Sequence, residues 1–148
     1  MTRVLGIDPG DRRIGLAVSD PTGTIASPYG FIDTSTSDPV TSIGAIALEM
    51  DCDTIVVGLP LRLDGSEGPA AERSRTLGTA LAEELHLDVV YADERFTTLT
   101  AEAALLEGNV RRADRKTRRD QVAAAVMLQG YLDRQAHDDR DGDASSPR

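Results

Sequence analysis

The sequence has 148 residues, 40% of them apolar, which is enough for one domain with a hydrophobic core. A net charge of −9 argues against nucleic-acid binding over the whole surface. The apolar runs are too short to span a membrane, and the single cysteine, Cys52, excludes an internal disulfide. Because the N-terminus shows no charged and then apolar leader, we expect a cytoplasmic protein without membrane contact.

The first part of the sequence predicts three β-strands, over residues 3–8, 14–19 and about 24–33. Short links rich in turn residues join them, so neighbouring strands should pair antiparallel. The elements predicted next are a helix from Pro39, a buried strand over 54–57, a helix from Pro69, a strand over 88–92, and helices over about 98–107 and 118–134. This order predicts an α/β fold with a mixed five-stranded sheet, in which three antiparallel strands lead into parallel strands and helices cover the faces.

The first predicted strand ends in a carboxylate, Asp8, and a glycine turn follows it. An aspartate at the end of a buried strand, beside glycines that let a phosphate approach, is typical of metal-dependent phosphoryl chemistry. Ligands of open α/β sheets bind beyond the carboxyl ends of the strands, where Asp8, Gly58 and the pair Asp93-Glu94 should meet. The alternative is a hairpin in which Asp8 only caps the turn and Gly10 adopts a positive φ.

Two neighbouring acids, Asp93 and Glu94, follow the strand over 88–92. Because side chains alternate along a strand, only one of the two should face the site, and Glu94 shares its face with Val90 and Ala92. We select Glu94 and keep Asp93 as its substitute, since the strand could end before this counting applies.

Asp120 heads the apolar stripe of the last predicted helix, which continues through Ala124, Leu128 and Tyr131. A carboxylate that faces a sheet needs a partner, because burial of an unpaired charge is costly. A divalent cation shared with Asp8 and Glu94 would provide one. The alternatives are an acid favoured by the helix dipole or a pair with a nearby arginine.

Three carboxylates, without a histidine pair or a cysteine cluster, favour Mg²⁺ or Mn²⁺ over Zn²⁺ as the bound metal. Two such ions about 4 Å apart can activate water and stabilise the leaving oxygen in phosphodiester hydrolysis. The composition of the predicted site therefore indicates a metal-dependent hydrolase.

Positive charge is concentrated in residues 111–119, which contain six basic residues and one acid. Their net charge of +5 leaves −14 for the rest of the chain, which predicts phosphate contact at one place, with a solvated loop as the alternative. The candidate substrate-binding residues are Arg12, Arg13, Arg95, Arg111, Arg112, Arg115, Lys116, Arg118 and Arg119. The acidic segment 137–148 has the composition of a disordered tail, which leaves residues 1–136 as the domain.

Several short motifs follow one another over residues 3–134. They are Gly6-Ile7-Asp8-x-Gly10-x-x-Arg13-Ile14-Gly15-x-Ala17-x-Ser19-Asp20, Val57-Gly58-Leu59-Pro60, Asp93-Glu94-Arg95-x-Thr97-Thr98 and Asp120-Gln121-x-Ala123-Ala124-x-x-x-Leu128-Gln129-x-Tyr131-Leu132. Together they resemble the YqgF family, also called RuvX-like. The resemblance implies a ribonuclease-H-like fold and a metal-dependent nuclease site at Asp8, Glu94 and Asp120. Family members are described as nucleases that mature the 5′ end of pre-16S rRNA, and some as Holliday junction resolvases.

The expected partner is a nucleic acid, either a structured pre-rRNA within ribosomal assembly intermediates or a branched DNA. Few aromatic residues argue against extensive base stacking, so phosphate contacts should dominate. The protein could act as a monomer or a homodimer. Two other classes are considered: a non-catalytic ribosome-maturation factor, and an ATP-binding protein of the actin and sugar-kinase type, for whose two facing domains the chain is too short.

Overall fold

A computed structural model describes residues 2–93 and 122–136 of the chain. Its strands are β1 (Arg3–Pro9), β2 (Arg13–Ser19), β3 (Ala26–Asp33), β4 (Cys52–Leu59) and β5 (Asp88–Asp93). Its helices are α1 (Pro39–Glu49), α2 (Pro69–Leu85) and a helix over 122–136, which we call α3. In the described ranges, none of the helices combines the length and the apolar character that a membrane span requires.

The five strands form one mixed sheet in the order β3-β2-β1-β4-β5. β1 pairs antiparallel with β2, and β2 with β3, whereas β1, β4 and β5 run parallel. This confirms the predicted sheet of three antiparallel strands leading into parallel ones. β4 is longer than the predicted strand over 54–57 because it pairs with β1 from Cys52 onward, and Cys52 is therefore a buried strand residue.

Each face of the sheet carries its own apolar cluster. Leu5 and Ile7 of β1 pack on one face with Ile43 of α1 and Leu81 of α2. Val56 of β4 packs on the other face with α3 residues, in a cluster that also contains Ala17, Ala92, Ala124, Met127, Leu128 and Leu132. We call these faces the α1/α2 side and the α3 side. Because successive side chains of a strand point to opposite faces, two functional side chains can meet only if they lie on the same side of the sheet.

α1 and α2 begin at Pro39 and Pro69, as predicted, and the described helices pack with their apolar residues against the sheet. α1 starts at Pro39, and the Asp38 carboxylate caps it by accepting a hydrogen bond of 3.0 Å from the Thr41 N–H. On α3, Ala124 and Leu128 are buried and Tyr131 is partly buried, as their shared stripe predicts. The predicted helix over 98–107, the basic segment 111–119, the first residues of the last predicted helix and the segment 137–148 lie outside the described residues.

Candidate active site

Asp8 lies near the carboxyl end of β1, half-buried, on the α3 side of the sheet. Its face follows from the alternation of β1, because Ile7 is buried in the α1/α2 cluster and Gly6 lies directly under Leu128 of α3. Asp8 pairs with Gly15 of β2 in the antiparallel register. The carboxylate therefore stands on the α3 side, beside a position that has no side chain.

The turn after Asp8 is closed by a backbone hydrogen bond of 2.8 Å from the Gly10 N–H to the Arg13 carbonyl. A Cβ on Gly10 would lie 2.8 Å from that carbonyl oxygen, so only glycine fits there without a shift of the turn. The positive φ that the hairpin alternative expected at Gly10 is wrong, since the described glycines with positive φ are Gly23 and Gly65. Glycine is required by the close approach of two backbone segments.

Arg13 stands on the same side as Asp8, because Arg13, Gly15 and Ala17 alternate along β2 and Ala17 belongs to the α3 cluster. Its guanidinium carbon lies 5.4 Å from the centre of the Phe31 ring, a cation–π distance. Its Nη1 atom is buried and has no hydrogen-bond partner within the described part of the chain. A buried guanidinium donor without a partner is costly, and an anionic group would satisfy it.

Arg12 points to a different neighbour. Its side chain is 73% exposed, and its Nε lies 3.7 Å from the Asp33 Oδ1. Hydrogen bonds from the Ser35 hydroxyl and N–H lower the pKa of the Asp33 carboxyl, with smaller contributions from the charges of Arg12 and Arg13. Arg12 thus holds a loose surface ion pair, which is weak and leaves the guanidinium accessible.

The two acids at the end of β5 are separated by the alternation of that strand. Val89 and Tyr91 pack on the α1/α2 cluster, whereas Val90 and Ala92 pack on the α3 cluster. Asp93 is still paired with Leu59 of β4, so the alternation holds through it and places Asp93 on the α1/α2 side. Asp93 and Asp8 therefore lie on opposite faces of the sheet.

Gln129 of α3 fastens the helix to the segment that links β2 and β3. Its Oε1 accepts a hydrogen bond of 2.8 Å from the Ala26 N–H, and its Nε2 donates to the Thr24 carbonyl at 2.9 Å. The same segment is closed by Asp20, whose Oδ1 accepts from the Thr24 and Ile25 N–H groups at 2.8 and 2.9 Å. These bonds fix how α3 lies across the sheet.

A cavity that borders the β1–β2 turn lies on the other face. It has a volume of about 680 Å³ and is lined by Pro9, Ile14 and Leu77, with an ion pair of 2.6 Å between Arg73 and Asp11 at its edge. Because Pro9 and Asp8 point to opposite faces, this cavity is separate from the site around Asp8.

The remaining sequence-predicted site residues lie outside the described residues: Glu94, Arg95, Arg111, Arg112, Arg115, Lys116, Arg118, Arg119 and Asp120. Within residues 2–93 and 122–136, the histidine, cysteine and carboxylate side chains form no group of three that could hold a metal ion. The described part of the chain thus supplies Asp8, Arg12 and Arg13 of the predicted site.

Comparison with known proteins decides the family. A family model described as "RuvX: Holliday junction resolvase" matches residues 2–134. The chain belongs to the RuvX family. A relative from Lactococcus lactis subsp. cremoris is 42% identical over 137 residues, covering 90% of this chain and 96% of its own, and bears the name "Putative pre-16S rRNA nuclease". A relative from Myxococcus xanthus with the same name is 42% identical over 140 residues, covering 94% and 93%.

Solved structures confirm the ribonuclease-H-like fold that the family resemblance implied. T. thermophilus RuvC, determined in complex with a Holliday junction substrate, matches with a TM-score of 0.55 at 16% identity and covers 90% of this chain and 96% of its own. The fowlpox virus Holliday junction resolvase matches with a TM-score of 0.55 at 9% identity, covering 90% and 99%. At these identities the likeness concerns the fold.

Two features of this RuvX-family site escaped the sequence analysis. Phe31 was not singled out, although it is one of only two phenylalanines, because its distance from Asp8 depends on strand register. Gln129 was noted only within a motif, and nothing in the sequence reveals its bonds across about a hundred residues to Thr24 and Ala26.

Proposed function

We propose that this RuvX-family protein is a metal-dependent nuclease that hydrolyses phosphodiester bonds in the 5′-end maturation of pre-16S rRNA. The observation that carries the proposal is the position of Asp8, at the carboxyl end of a central strand, on the α3 side, and next to the bare backbone of Gly15. That position places a carboxylate at the edge where α/β sheets bind ligands.

The proposed metal ligands, which are also the proposed catalytic residues, are Asp8, Glu94 and Asp120. The alternation of β5 supports Glu94 over Asp93, because Asp93 lies on the α1/α2 side. The buried stripe of Ala124 and Leu128 supports Asp120, which precedes Ala124 by one helical repeat. All-oxygen ligands fit Mg²⁺ or Mn²⁺. Two bound ions would supply an activated water and stabilise the leaving oxygen.

The protein's own cations would bind and orient the substrate. Arg13 brings a buried, unsatisfied donor to the α3 side, which would orient a phosphate beside Asp8. Arg12 is accessible in the adjacent turn. Arg95 and the basic residues of 111–119 would add further phosphate contacts. Such contacts fix the register of the substrate without reading its bases.

The names of the relatives favour pre-16S rRNA as the substrate, and the family description favours a second candidate, branched DNA of the Holliday junction type. We place the first candidate ahead, because the relatives that carry the rRNA name match at 42% identity over most of both chains. The proposed partners are therefore ribosomal assembly intermediates in the cytoplasm, bound by a monomer or a homodimer.

The decisive experiment compares wild type, Asp8→Asn and Asp11→Asn on a precursor rRNA 5′-end substrate and on a synthetic four-way junction, with Mn²⁺ or with EDTA. Asp11 is the matched control, because its carboxylate is exposed and pairs with Arg73 at the surface. We expect cleavage of the RNA by wild type and Asp11→Asn only with the metal, and none by Asp8→Asn.

Each other outcome selects a different function. Cleavage of the junction alone would select the second candidate. Binding of the RNA without cleavage of either substrate would select the non-catalytic maturation factor. Equal cleavage by Asp8→Asn and wild type would overturn the assignment of Asp8.

A further inference from the structure

Asp8, Gly15 and Phe31 occupy one row across the sheet. Asp8 pairs with Gly15 of β2, and Gly15 pairs with Phe31 of β3. Paired residues of neighbouring strands point to the same face, so the row lies on the α3 side. Two strand spacings place Phe31 about 10 Å from Asp8, with only a glycine between them.

Phe31 is accessible although it belongs to a strand. It is 40% exposed, in contrast to its neighbour Ile32, which is buried on the α1/α2 side. The guanidinium of Arg13 lies over its ring, and the Nη1 atom of this guanidinium has no partner in the described ranges. The aromatic ring of Phe31 and the guanidinium of Arg13 thus lie together, and only Gly15 separates Phe31 from Asp8 in the row.

This pair matches the two parts of a nucleotide. A ring surface binds the face of a base by stacking, which every base can do, and a guanidinium binds the adjoining phosphate through directed donors. Gly15 is buried and contributes no side chain between Asp8 and Phe31, so the exposed part of this row is the Phe31 ring. A paired base cannot offer its face in this way, because its neighbours in the duplex cover it.

We propose that Phe31, with Arg13 over it, is a stacking site for one unpaired base next to the phosphate that the proposed metal site at Asp8 would bind. The protein then requires a substrate that is single-stranded on one side of the cleaved bond. This inference rests on the proposed nuclease function, in which Asp8 is a metal ligand. It adds the substrate class, which is an unpaired strand in preference to a continuous duplex.

The test measures equilibrium binding in EDTA, which separates stacking from cleavage. Wild type, Phe31→Leu, Phe31→Trp and the control Tyr29→Leu are titrated with three RNA probes: a 12-nucleotide oligoadenylate, a ribose-phosphate 12-mer without bases, and a 12-base-pair duplex. Tyr29 is a matched control because it is 39% exposed on the same strand, but it is the extra residue of a bulge between Gly30 and Pro28 and is outside the row with Asp8.

We expect Phe31→Leu to weaken binding of the oligoadenylate on the order of tenfold, as loss of one base stack does. The same change should leave the Kd for the abasic strand and for the duplex unchanged. Phe31→Trp should retain the affinity of wild type, and Tyr29→Leu should not reproduce the loss. Thermal unfolding of every variant verifies that it is folded.

The proposal is overturned if wild type does not bind the oligoadenylate, if Phe31→Leu binds it as tightly as wild type does, or if the loss is equal on the abasic strand. A parallel cleavage assay with Mn²⁺ distinguishes this failure from failure of the proposed function. Selective loss on the oligoadenylate without metal-dependent cleavage would retain the stacking site and reject the nuclease.

Discussion

Gly6 and Leu128 are in such close contact that the sheet and α3 leave no room for a methyl group between them. A Cβ on Gly6 would lie 2.9 Å from the Leu128 Cβ, closer than carbon atoms approach each other in proteins. The helix therefore rests on the bare backbone of β1, two residues before Asp8. Leu128 is fully buried, so its side chain has no free space into which it could move to make room for a methyl group at position 6.

We expect Gly6→Ala to lift α3 from the sheet and to lower the free energy of unfolding by about 1–3 kcal/mol, the usual cost of overpacking a core. Under the proposed function, cleavage should fall as well, because the proposed ligand Asp120 lies just before α3 in the sequence and a shift of α3 would disturb the proposed site. Urea unfolding and the RNA cleavage assay measure the two effects. Gly30→Ala is the control, since a Cβ there meets nothing within 4 Å; equal behaviour of the two variants would refute this role of Gly6.

Gln129→Ala should release the segment between β2 and β3 from α3. The change leaves the part-buried Ala26 N–H without its acceptor, which costs about 1–3 kcal/mol of stability. Amide hydrogen exchange should become faster at Ala26, while Gln135→Ala, which removes an exposed bond to the Tyr131 hydroxyl, should leave that exchange unchanged. Unaltered protection of Ala26 in Gln129→Ala would show that the bond does not hold the segment.

Asp20 should make the protein sensitive to acid. Hydrogen bonds from the Ile25 N–H, the Thr22 hydroxyl and the Thr24 N–H lower the pKa of its carboxyl to about 2. A pKa that is lower in the folded state gives stability that is present above the unfolded value, near 3.8, and lost as the pH falls toward 2. In urea unfolding from pH 5 to pH 2, Asp20→Asn should show a shallower loss than wild type. An equal loss of stability in the two proteins between pH 5 and pH 2 would contradict this role of Asp20.

Replacing Arg118 and Arg119 by glutamine should weaken RNA binding. The salt dependence of the binding constant should also fall, by about one logarithmic slope unit for each phosphate that these side chains no longer neutralise. The matched control replaces two exposed arginines, Arg62 and Arg134, in the same way. A salt titration of the Kd measures both. The same salt dependence of the Kd in both double variants would mean that Arg118 and Arg119 contact phosphates no more than other exposed arginines do.

Cys52 should be unreactive in the folded protein. It is buried at the start of β4, and burial raises the pKa of its thiol to about 11, so little thiolate exists at neutral pH. A chromogenic disulfide reagent at pH 8 should label Cys52 at once in denaturant and only slowly without it. Rapid labelling of the native protein would show that the first residues of β4 open readily.

The fold was predictable because local patterns determine it. The apolar runs predicted all five strands, and the stripe through Ala124 and Leu128 predicted the buried face of α3. The extent of β4 was underestimated, since Cys52 joins the strand only through pairing with Arg3. Such pairing between distant segments cannot be read from local sequence.

Site residues could be predicted where their position depends on a single strand, and could not where it depends on the pairing of several strands. Asp8 follows from a single strand and its turn. The position of Phe31 depends on two successive registers, through Gly15, and the reason for Gly10 depends on a carbonyl that the turn brings close. Registers and close backbone approaches arise from the assembled sheet.

The bulge at Tyr29 also affects whether a strand from another molecule can extend the sheet at β3. Among the described strands β3 has only one neighbour, so its outer backbone could be extended by a strand from another molecule. Pro28 has no N–H to donate there, and the extra residue beside it breaks the regular spacing that a docking strand would need. The edge that presents Phe31 is thereby a poor template for intermolecular β-sheet growth, which favours solubility at high concentration.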